Sequence, residues 1–160
     1  NSRMKTAVFP GSFDPMTNAH VDVVERAKKL FDKIYIAVGV NTTKKGFFSQ
    51  EERLAIIKET FTPQDGRVEV VAFEGLTVDF CRRVGARYMI RGMRSAADFE
   101  FEKAIAHNNA VLAPDIETIF LVSSSGLSHI SSTIVREILA NRGDVSKLVP
   151  QAVMDAVQKR

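Results

Sequence analysis

The stretch that decides the fold is Phe9-Pro10-Gly11-Ser12-Phe13-Asp14-Pro15-Met16-Thr17-Asn18-Ala19-His20. It follows an apolar run, Thr6 to Phe9, that predicts a strand, and it precedes an apolar-periodic run, Val21 to Phe31, that predicts a helix. This order places a helix N-terminus at the carboxyl edge of a sheet, where free backbone N–H groups and the helix dipole favour an anion. Gly11 permits a sharp turn, and His20 is expected in the first helical turn. The stretch therefore predicts an anion site, although similar loops also occur without any function.

Predicted strands and helices alternate along the rest of the chain. β-Branched and apolar runs predict strands at Lys33 to Val40, Arg67 to Phe73, Arg87 to Ile90 and Glu117 to Val122. Helical spacing and caps predict helices from Ser49 to about Phe61, Leu76 to Val84, Ser95 to about Leu112, from Ser131 or Ser132 to Ala140, and shortly after Pro150. The alternation predicts an α/β fold, a Rossmann-like, doubly wound five-stranded parallel sheet with helices on both faces. Ligands of such sheets bind beyond the carboxyl ends of the strands.

Length and composition indicate one domain, expected to span residues 4–160. The chain has 160 residues, 45% hydrophobic and 26% charged, which suits a single core and is too short for two ordinary domains. Asn1 to Arg3 precede Met4, which resembles a natural start, so we expect them to be a cloning remnant. The net charge of +3 suits a phosphate-rich small ligand and is too small to indicate nucleic acid. A single cysteine, Cys81, and the lack of a transmembrane run or signal-peptide pattern predict a cytoplasmic protein with a buried, inert thiol.

Four segments follow strands and are expected at one edge of the sheet: 10–20, 41–48, 91–94 and 123–136. A lysine pair in the second segment, Lys44 and Lys45, is more simply explained as solvated surface charge. Arg91 and Arg94 directly follow an apolar strand, and a guanidinium group can pair bidentately with phosphate. Glutamates of the next helix, such as Glu102, could instead hold these arginines in salt bridges.

Three consecutive hydroxyl residues, Ser131, Ser132 and Thr133, stand at the predicted start of a helix. One hydroxyl would serve as an N-cap, whereas three offer several donors, together with the helix dipole, to a polyphosphate. His107 lies in mid-helix, which favours a structural or interface role, and His129 precedes the hydroxyl run. No cluster of His, Cys, Asp or Glu has metal-site spacing, so we expect no protein metal ligands and a divalent ion held by nucleotide phosphates.

Two motifs, far apart in the sequence, carry a family resemblance. Ser-Phe-Asp-Pro-x-Thr-x-x-His at 12–20 resembles the T/HxGH signature of the nucleotidyltransferase superfamily, and Ile-Ser-Ser-Thr-x-x-Arg at 130–136 resembles its ISSTxxR signature. Pro-Gly before Ser12, Lys-Lys before Phe-x-x-Glu-Glu-Arg at 48–53, Ile-Arg-Gly-Met-Arg at 90–94 and Ala-Asp-Phe-Glu-x-Glu at 97–102 are similar to the bacterial phosphopantetheine adenylyltransferase family. The resemblance covers nearly all of Met4 to Lys159. The chain departs from the family pattern at Ala19, where the usual residue is Gly.

The resemblance implies transfer of AMP from ATP to 4′-phosphopantetheine by direct in-line attack, which gives dephospho-coenzyme A and pyrophosphate. It implies Mg²⁺ held by the ATP phosphates, a homohexamer, and coenzyme A as a feedback inhibitor. His20 would stabilise the transition state, and the residues implied in catalysis or in binding the phosphopantetheine side are Ser12, Lys44, Thr77 and Arg91. The residues implied in ATP binding are Ser12, Phe13, His20, Gly92, Met93, Arg94, Glu102, Leu127, Ser128, His129, Ile130, Ser131, Ser132 and Thr133.

Two other functions fit the same motifs. The chain could be another nucleotidyltransferase of the superfamily, acting on nicotinamide mononucleotide or a polyol phosphate, although the residues around Arg91 and Ser12 argue against it. It could also be a non-catalytic nucleotide-binding or assembly module, which the presence of His20 and the whole hydroxyl run disfavours. An RNA-binding role is weaker, because the sequence offers no aromatic and basic platform.

Overall fold

The computed structural model describes residues 4–40, 46–61 and 66–160. Its strands are β1 (Thr6–Gly11), β2 (Lys33–Gly39), β3 (Val68–Phe73), β4 (Tyr88–Met93) and β5 (Glu117–Val122). Its helices are α1 (Asn18–Ala27), α2 (Gln50–Phe61), α3 (Thr77–Val84), α4 (Ala96–Leu112), α5 (Ser132–Ala140) and α6 (Gln151–Gln158). The residues outside the described ranges are Asn1 to Arg3, the segment 41–45 with Lys44 and Lys45, and 62–65.

The five strands form one parallel sheet in the order β3-β2-β1-β4-β5. The chain proceeds outward from β1 through β2 to β3 and then returns to place β4 on the other side of β1. The strand order therefore reverses between β1 and β4, which is where an open α/β sheet binds its ligands. The predicted fold class is confirmed.

Both faces of the sheet are covered, as the alternation of β1 requires. Phe9 of β1 belongs to a cluster with α1 and α2 residues such as Val24 and Ile57. Val8, whose side chain points to the opposite face, belongs to a second cluster with α3 residues such as Phe80. These two layers fix the carboxyl end of β1 relative to the start of α1.

A third cluster attaches the C-terminal part of the chain to α2. Phe48, Val135 of α5 and Val153 of α6 are fully buried in it. The last helix, α6, therefore packs into this cluster. The same contacts hold α5 at a fixed position beside the loop that follows β1.

The predicted helix caps are present, and several element boundaries differ; β1, for example, continues beyond Phe9 to Gly11. The capping box before α2 is present, because Ser49 N–H donates to Glu52 Oε1 at 2.8 Å and Glu52 N–H donates to Ser49 Oγ at 3.1 Å. Gly85 ends α3 with a φ of 77°, in the left-handed region. The helix predicted from Val21 instead begins at Asn18 and ends at Ala27, because Thr17 supplies the N-cap and the next residues form tight turns.

The fourth strand was predicted to end at Ile90, and it continues to Met93. Gly92 pairs with Leu121 and Met93 pairs with Val122 in the ladder between β4 and β5. Pairing with β5 thus extends β4 over residues whose sequence propensity favours a loop. Cys81 is fully buried, as predicted, and burial raises the pKa of its thiol to about 11, which disfavours the reactive thiolate. Within the described ranges, no helix is long and apolar enough to cross a membrane.

Candidate active site

A cavity of about 300 Å³ opens at the switch point between β1 and β4. Three of the four predicted segments meet there: the loop after β1, the end of β4, and the segment that leads from β5 into α5. The predicted site residues that line it are Ser12, Phe13, His20, Arg91, Gly92, Met93, Arg94, Ile130, Ser131 and Ser132. Ala19, which stands where the family usually has Gly, also lines the cavity.

The start of α1 fixes the imidazole of His20. Thr17 is the N-cap, and its backbone N–H donates to His20 Nδ1 at 2.9 Å, so His20 takes the place that Glu or Gln occupies in an ordinary capping box. Because Nδ1 accepts this bond, the neutral ring carries its proton on Nε2. Phe13 packs edge-on against the ring with centroids 4.9 Å apart. The arrangement leaves Nε2–H as the donor available to a ligand.

The surroundings of His20 keep the ring neutral. Desolvation by burial is the main cause that lowers its pKa from 6.5 to about 4, and the positive charges of Arg91 and Arg94 lower it further. Protonation would also break the Thr17 bond, since Nδ1 could no longer accept. At neutral pH, His20 is therefore a neutral hydrogen-bond donor in a positively charged cavity.

We expect His20 to titrate near pH 4 as the Nε2–H tautomer. Because its pKa is depressed in the folded state, its contribution to stability is fully present above about pH 6.5 and is lost as the pH falls through about 4. Long-range ¹⁵N–¹H NMR of the ring nitrogens during a pH titration measures both the tautomer and the pKa. An Nδ1–H tautomer, or a midpoint at or above 6.5, would contradict this assignment.

Arg91, at the end of β4, is held on two sides. Its Nε and Nη2 each donate to a Glu102 carboxylate oxygen at 2.8 Å, and its Nη1 donates to the Pro10 carbonyl at 3.2 Å. The salt bridge with the α4 glutamate, one of the two alternatives open from sequence, is therefore present. It orients the guanidinium group without removing it from the cavity wall.

A second cavity of about 220 Å³ lies on the other side of Arg91. Its lining includes Thr77 from the start of α3, Glu102 and Ile105 from α4, and Pro10. Pro10 and Arg91 line both cavities, so the two spaces meet at the end of β1 and β4. Thr77 and Glu102, expected at the phosphopantetheine and ATP sides respectively, thus share the second cavity.

The hydroxyls at the start of α5 are engaged mostly within the protein. Ser131 Oγ accepts from Ile134 N–H at 3.2 Å as the N-cap, and Ser132 Oγ donates to the Pro15 carbonyl at 2.7 Å. Thr133 Oγ1 accepts from Arg136 at 3.2 Å. These hydroxyls therefore fix α5 to the loop after β1. The first backbone N–H groups of α5 lack intrahelical partners, so they are the main donors that this helix start presents to an anion.

The remaining predicted residues lie elsewhere. Leu127, Ser128, His129 and Thr133 do not line the first cavity, and Lys44 is not among the described residues. Sequence reasoning missed Thr17 as the partner of His20. A Thr three residues before a polar residue at a helix start is the capping-box signal that would have found it.

Comparison with known proteins defines the class to which this fold and site belong. A family model described as cytidylyltransferase-like matches residues 8–138, which run from within β1 to within α5 and include every residue that lines the first cavity. The chain thus has the nucleotidyltransferase fold and belongs to the cytidylyltransferase-like family. The match includes both signature segments.

Curated relatives narrow the class further. A phosphopantetheine adenylyltransferase of Flavobacterium psychrophilum is 54% identical over 150 residues, covering 94% of this chain and 98% of the relative. That of Flavobacterium johnsoniae is 51% identical over 94% of this chain and 97% of its own length, and that of Leuconostoc citreum is 47% identical over 98% and 99%. The chain belongs to the phosphopantetheine adenylyltransferase family.

Proposed function

We propose that this chain transfers the adenylyl group of ATP to the phosphate of 4′-phosphopantetheine, forming dephospho-coenzyme A and pyrophosphate. One observation carries the proposal: a single cavity is lined by His20 at the start of α1, by the Ser131–Ser132 start of α5, and by Arg91 and Arg94. Two helix N-termini and two guanidinium groups at one cavity suit a polyphosphate. Family membership identifies the nucleotide and the acceptor.

ATP would place its triphosphate between the two helix starts. The backbone N–H groups at the start of α5, with Arg94 nearby, would bind the β- and γ-phosphates that leave. The hydroxyl of exposed Ser12 and the Nε2–H of His20 would face the α-phosphate. The other residues implied in ATP binding, 127–129 and Thr133, would contact the nucleotide from the rim.

The acceptor would lie in the second cavity. Its phosphate would be bound by Arg91, which borders both cavities, and its pantetheine arm would extend past Thr77 and Ile105. Bidentate binding of phosphate by Arg91 competes with its bonds to Glu102, so the carboxylate limits how tightly the acceptor binds while keeping the guanidinium group oriented. Lys44, implied by the resemblance on the same side, remains a prediction.

The transfer would be a single displacement. A phosphate monoester is already anionic near pH 7, so its oxygen needs no general base. That oxygen forms a bond to the α-phosphorus while the bond from this phosphorus to the bridging oxygen breaks, and the electron pair leaves with pyrophosphate. His20 would donate to the α-phosphate oxygen as charge develops, and the fixed cations would reduce repulsion between the two anions.

Mg²⁺ would enter with the nucleotide. The described part of the first cavity offers hydroxyls and guanidinium groups but no carboxylate, and the described residues contain no His, Cys, Asp or Glu group arranged for a metal. Phosphate oxygens and water are the ligands that Mg²⁺ prefers when no carboxylate cage exists. When bound, the ion would neutralise part of the triphosphate charge.

Self-association through α4 would complete the assembly that the family implies. None of the 17 residues of α4 is buried, although the helix carries Phe101 at 67% and Val111 at 80% exposure. Such apolar surface is usually covered by a partner. A homohexamer in which copies pack along α4 is therefore the proposed state.

We expect Val111→Asp to dissociate this assembly. A carboxylate in an apolar interface is costly, so the variant should sediment with a mass closer to the single 17.8 kDa chain. Sedimentation velocity measures the change, with Arg82→Asp at an exposed position of α3 as the control. A wild-type chain that sediments as a monomer, or a variant that assembles fully, would contradict the proposal.

Two further expectations follow from the same site. Coenzyme A, which contains a nucleotide and a pantetheine arm, could occupy both cavities at once and so act as a competitive feedback inhibitor. A cytoplasmic location is supported by the chemistry, since ATP is a cytoplasmic substrate, and by the free thiol of Cys81.

The experiment is pyrophosphate release from ATP and Mg²⁺ with three acceptors. We expect turnover with 4′-phosphopantetheine and little or none with nicotinamide mononucleotide or glycerol 3-phosphate. Preference for either of the other acceptors would assign another nucleotidyltransferase activity. ATP binding without pyrophosphate formation in either direction would support a non-catalytic nucleotide-binding module.

A further inference from the structure

Arg53 of α2 lies outside both signatures and outside the first cavity, yet it reaches the backbone of the loop after β1. Its side chain is only 9% exposed. Its Nη1 donates to the Ser12 carbonyl at 3.4 Å, and its Nε donates to the Phe48 carbonyl at 3.0 Å. Arginine is rarely so buried without strong pairing, and here its partners are mostly backbone carbonyls.

Asp14 supplies the opposite charge from the loop itself. Its carboxylate, 8% exposed, lies 3.5 Å from Arg53 Nε. The same carboxylate accepts from the backbone N–H groups of Phe47 and Phe48, each at 2.9 Å. The pair therefore joins the loop after β1 to the segment that leads into α2.

Gly46 shows how closely these groups are packed. A Cβ atom at this position would lie 1.7 Å from Arg53 Nη2 and 2.7 Å from Asp14 Oδ2. Any other residue would displace the guanidinium group or the carboxylate. The backbone at Gly46 is thus part of the same closely packed joint.

The contact with Ser12 orients a peptide of the cavity wall. A trans peptide directs its carbonyl and its N–H to opposite sides, so Arg53, by binding the Ser12 carbonyl, turns the Phe13 N–H away from itself. Phe13 has a φ of 47°, in a region that costs energy for a residue with a side chain and needs external restraint. Its ring rests on His20, so a shift of this peptide would move the imidazole.

We propose that Arg53 is a positioning residue for adenylyl transfer, which fixes the Ser12–Phe13 peptide and, through the ring of Phe13, the imidazole of His20. The proposal rests on the proposed function, since it concerns the same site. Asp14 is its partner: it balances the buried charge and holds the guanidinium group beside the Ser12 carbonyl. Neither side chain lines the first cavity.

The test is Arg53→Lys, which keeps the positive charge opposite Asp14 but cannot span the carbonyls of Ser12 and Phe48. We expect kcat to fall about tenfold to a hundredfold, the scale of a small misplacement of reacting groups. The KM for ATP should change by less than about threefold, because the groups that bind phosphate remain. Rates are measured per folded chain, with the folded fraction taken from circular dichroism at the assay temperature.

Arg82→Lys is the matched control, since Arg82 forms an exposed ion pair with Asp115 at 2.9 Å outside both cavities. It should leave kcat unchanged. Independently of turnover, the ¹⁵N–¹H signal of Phe13 should shift in Arg53→Lys and stay in place in Arg82→Lys. A wild-type kcat, or an unmoved Phe13 signal, in folded Arg53→Lys would overturn the proposal. An inactive wild-type chain would instead remove the proposed function, and the Phe13 signal would still decide the role of Arg53.

Discussion

His20→Ala should lower kcat by about 10²–10³-fold, which is the loss expected for one preorganised donor and equals about 2.7–4 kcal/mol of transition-state stabilisation. The ring is fixed before substrate binds, because Thr17 N–H holds Nδ1 at 2.9 Å and Phe13 packs against one edge. The negative charge that the Nε2–H of His20 would stabilise by a hydrogen bond develops mainly in the transition state. The KM for ATP should therefore change far less than kcat, in steady-state assays of pyrophosphate release.

The control is Arg82→Ala, which removes an exposed side chain of α3 that lines neither cavity. It should retain the wild-type kcat. If His20→Ala kept the wild-type kcat, His20 would have no part in the reaction. If it raised the KM for ATP while kcat stayed constant, His20 would serve in ground-state binding alone.

Arg91→Met should lower kcat/KM for 4′-phosphopantetheine by about 10²-fold. Loss of a charge-assisted bidentate bond to phosphate accounts for about 1.5–3 kcal/mol, and the variant also leaves the Glu102 carboxylate without its partner beside an anion site. Because Arg91 lines both cavities, some loss in ATP binding is expected as well. The effect is measured by varying each substrate at a saturating concentration of the other.

Two further variants separate the loss of the bond to phosphate from the effect of the unpaired Glu102 carboxylate on kcat/KM. Arg91→Met combined with Glu102→Gln removes both charges, so it should recover the part of the loss that comes from the unpaired carboxylate. Arg91→Lys keeps a point charge without the planar fork and should fall between wild type and Arg91→Met. Unchanged kcat/KM for the acceptor in Arg91→Met would show that its phosphate binds elsewhere.

The order of elements and the walls of the cavity could be predicted from sequence because they depend on local signals. The periodic apolar runs determine where strands and helices form, and strand-to-helix loops of a parallel sheet collect at one edge. The segments with His20 and Ser131 are remote in sequence, yet both follow strands. The topology alone was therefore enough to predict that these two segments meet at the switch point between β1 and β4.

What the sequence could not supply were contacts set by packing between distant elements. Arg53 lies near the start of α2, and nothing in its sequence spacing indicates that it reaches the Ser12 carbonyl beside the buried Asp14. The end of β4 was likewise placed too early, because the extra residues pair only once β5 lies beside them. Tertiary contacts override local propensity in both cases.

The roles of the hydroxyl run illustrate the same limit. Three hydroxyls in sequence suggest three donors for phosphate. The structure uses Ser131 as a cap, directs Ser132 to the Pro15 carbonyl and pairs Thr133 with Arg136. Spacing identifies which residues meet at the site, whereas the partner of each side chain depends on the geometry of the loop opposite.

The most direct test of the central claim, a single displacement at the α-phosphorus within this cavity, is the stereochemistry of transfer. The reaction is run with ATP that carries a chiral α-thiophosphate and with 4′-phosphopantetheine, and the configuration at phosphorus is read in the thio-substituted dephospho-coenzyme A. Direct attack, with His20 acting only as a hydrogen-bond donor, predicts inversion. Retention would require a covalent adenylyl-enzyme intermediate and would contradict the account.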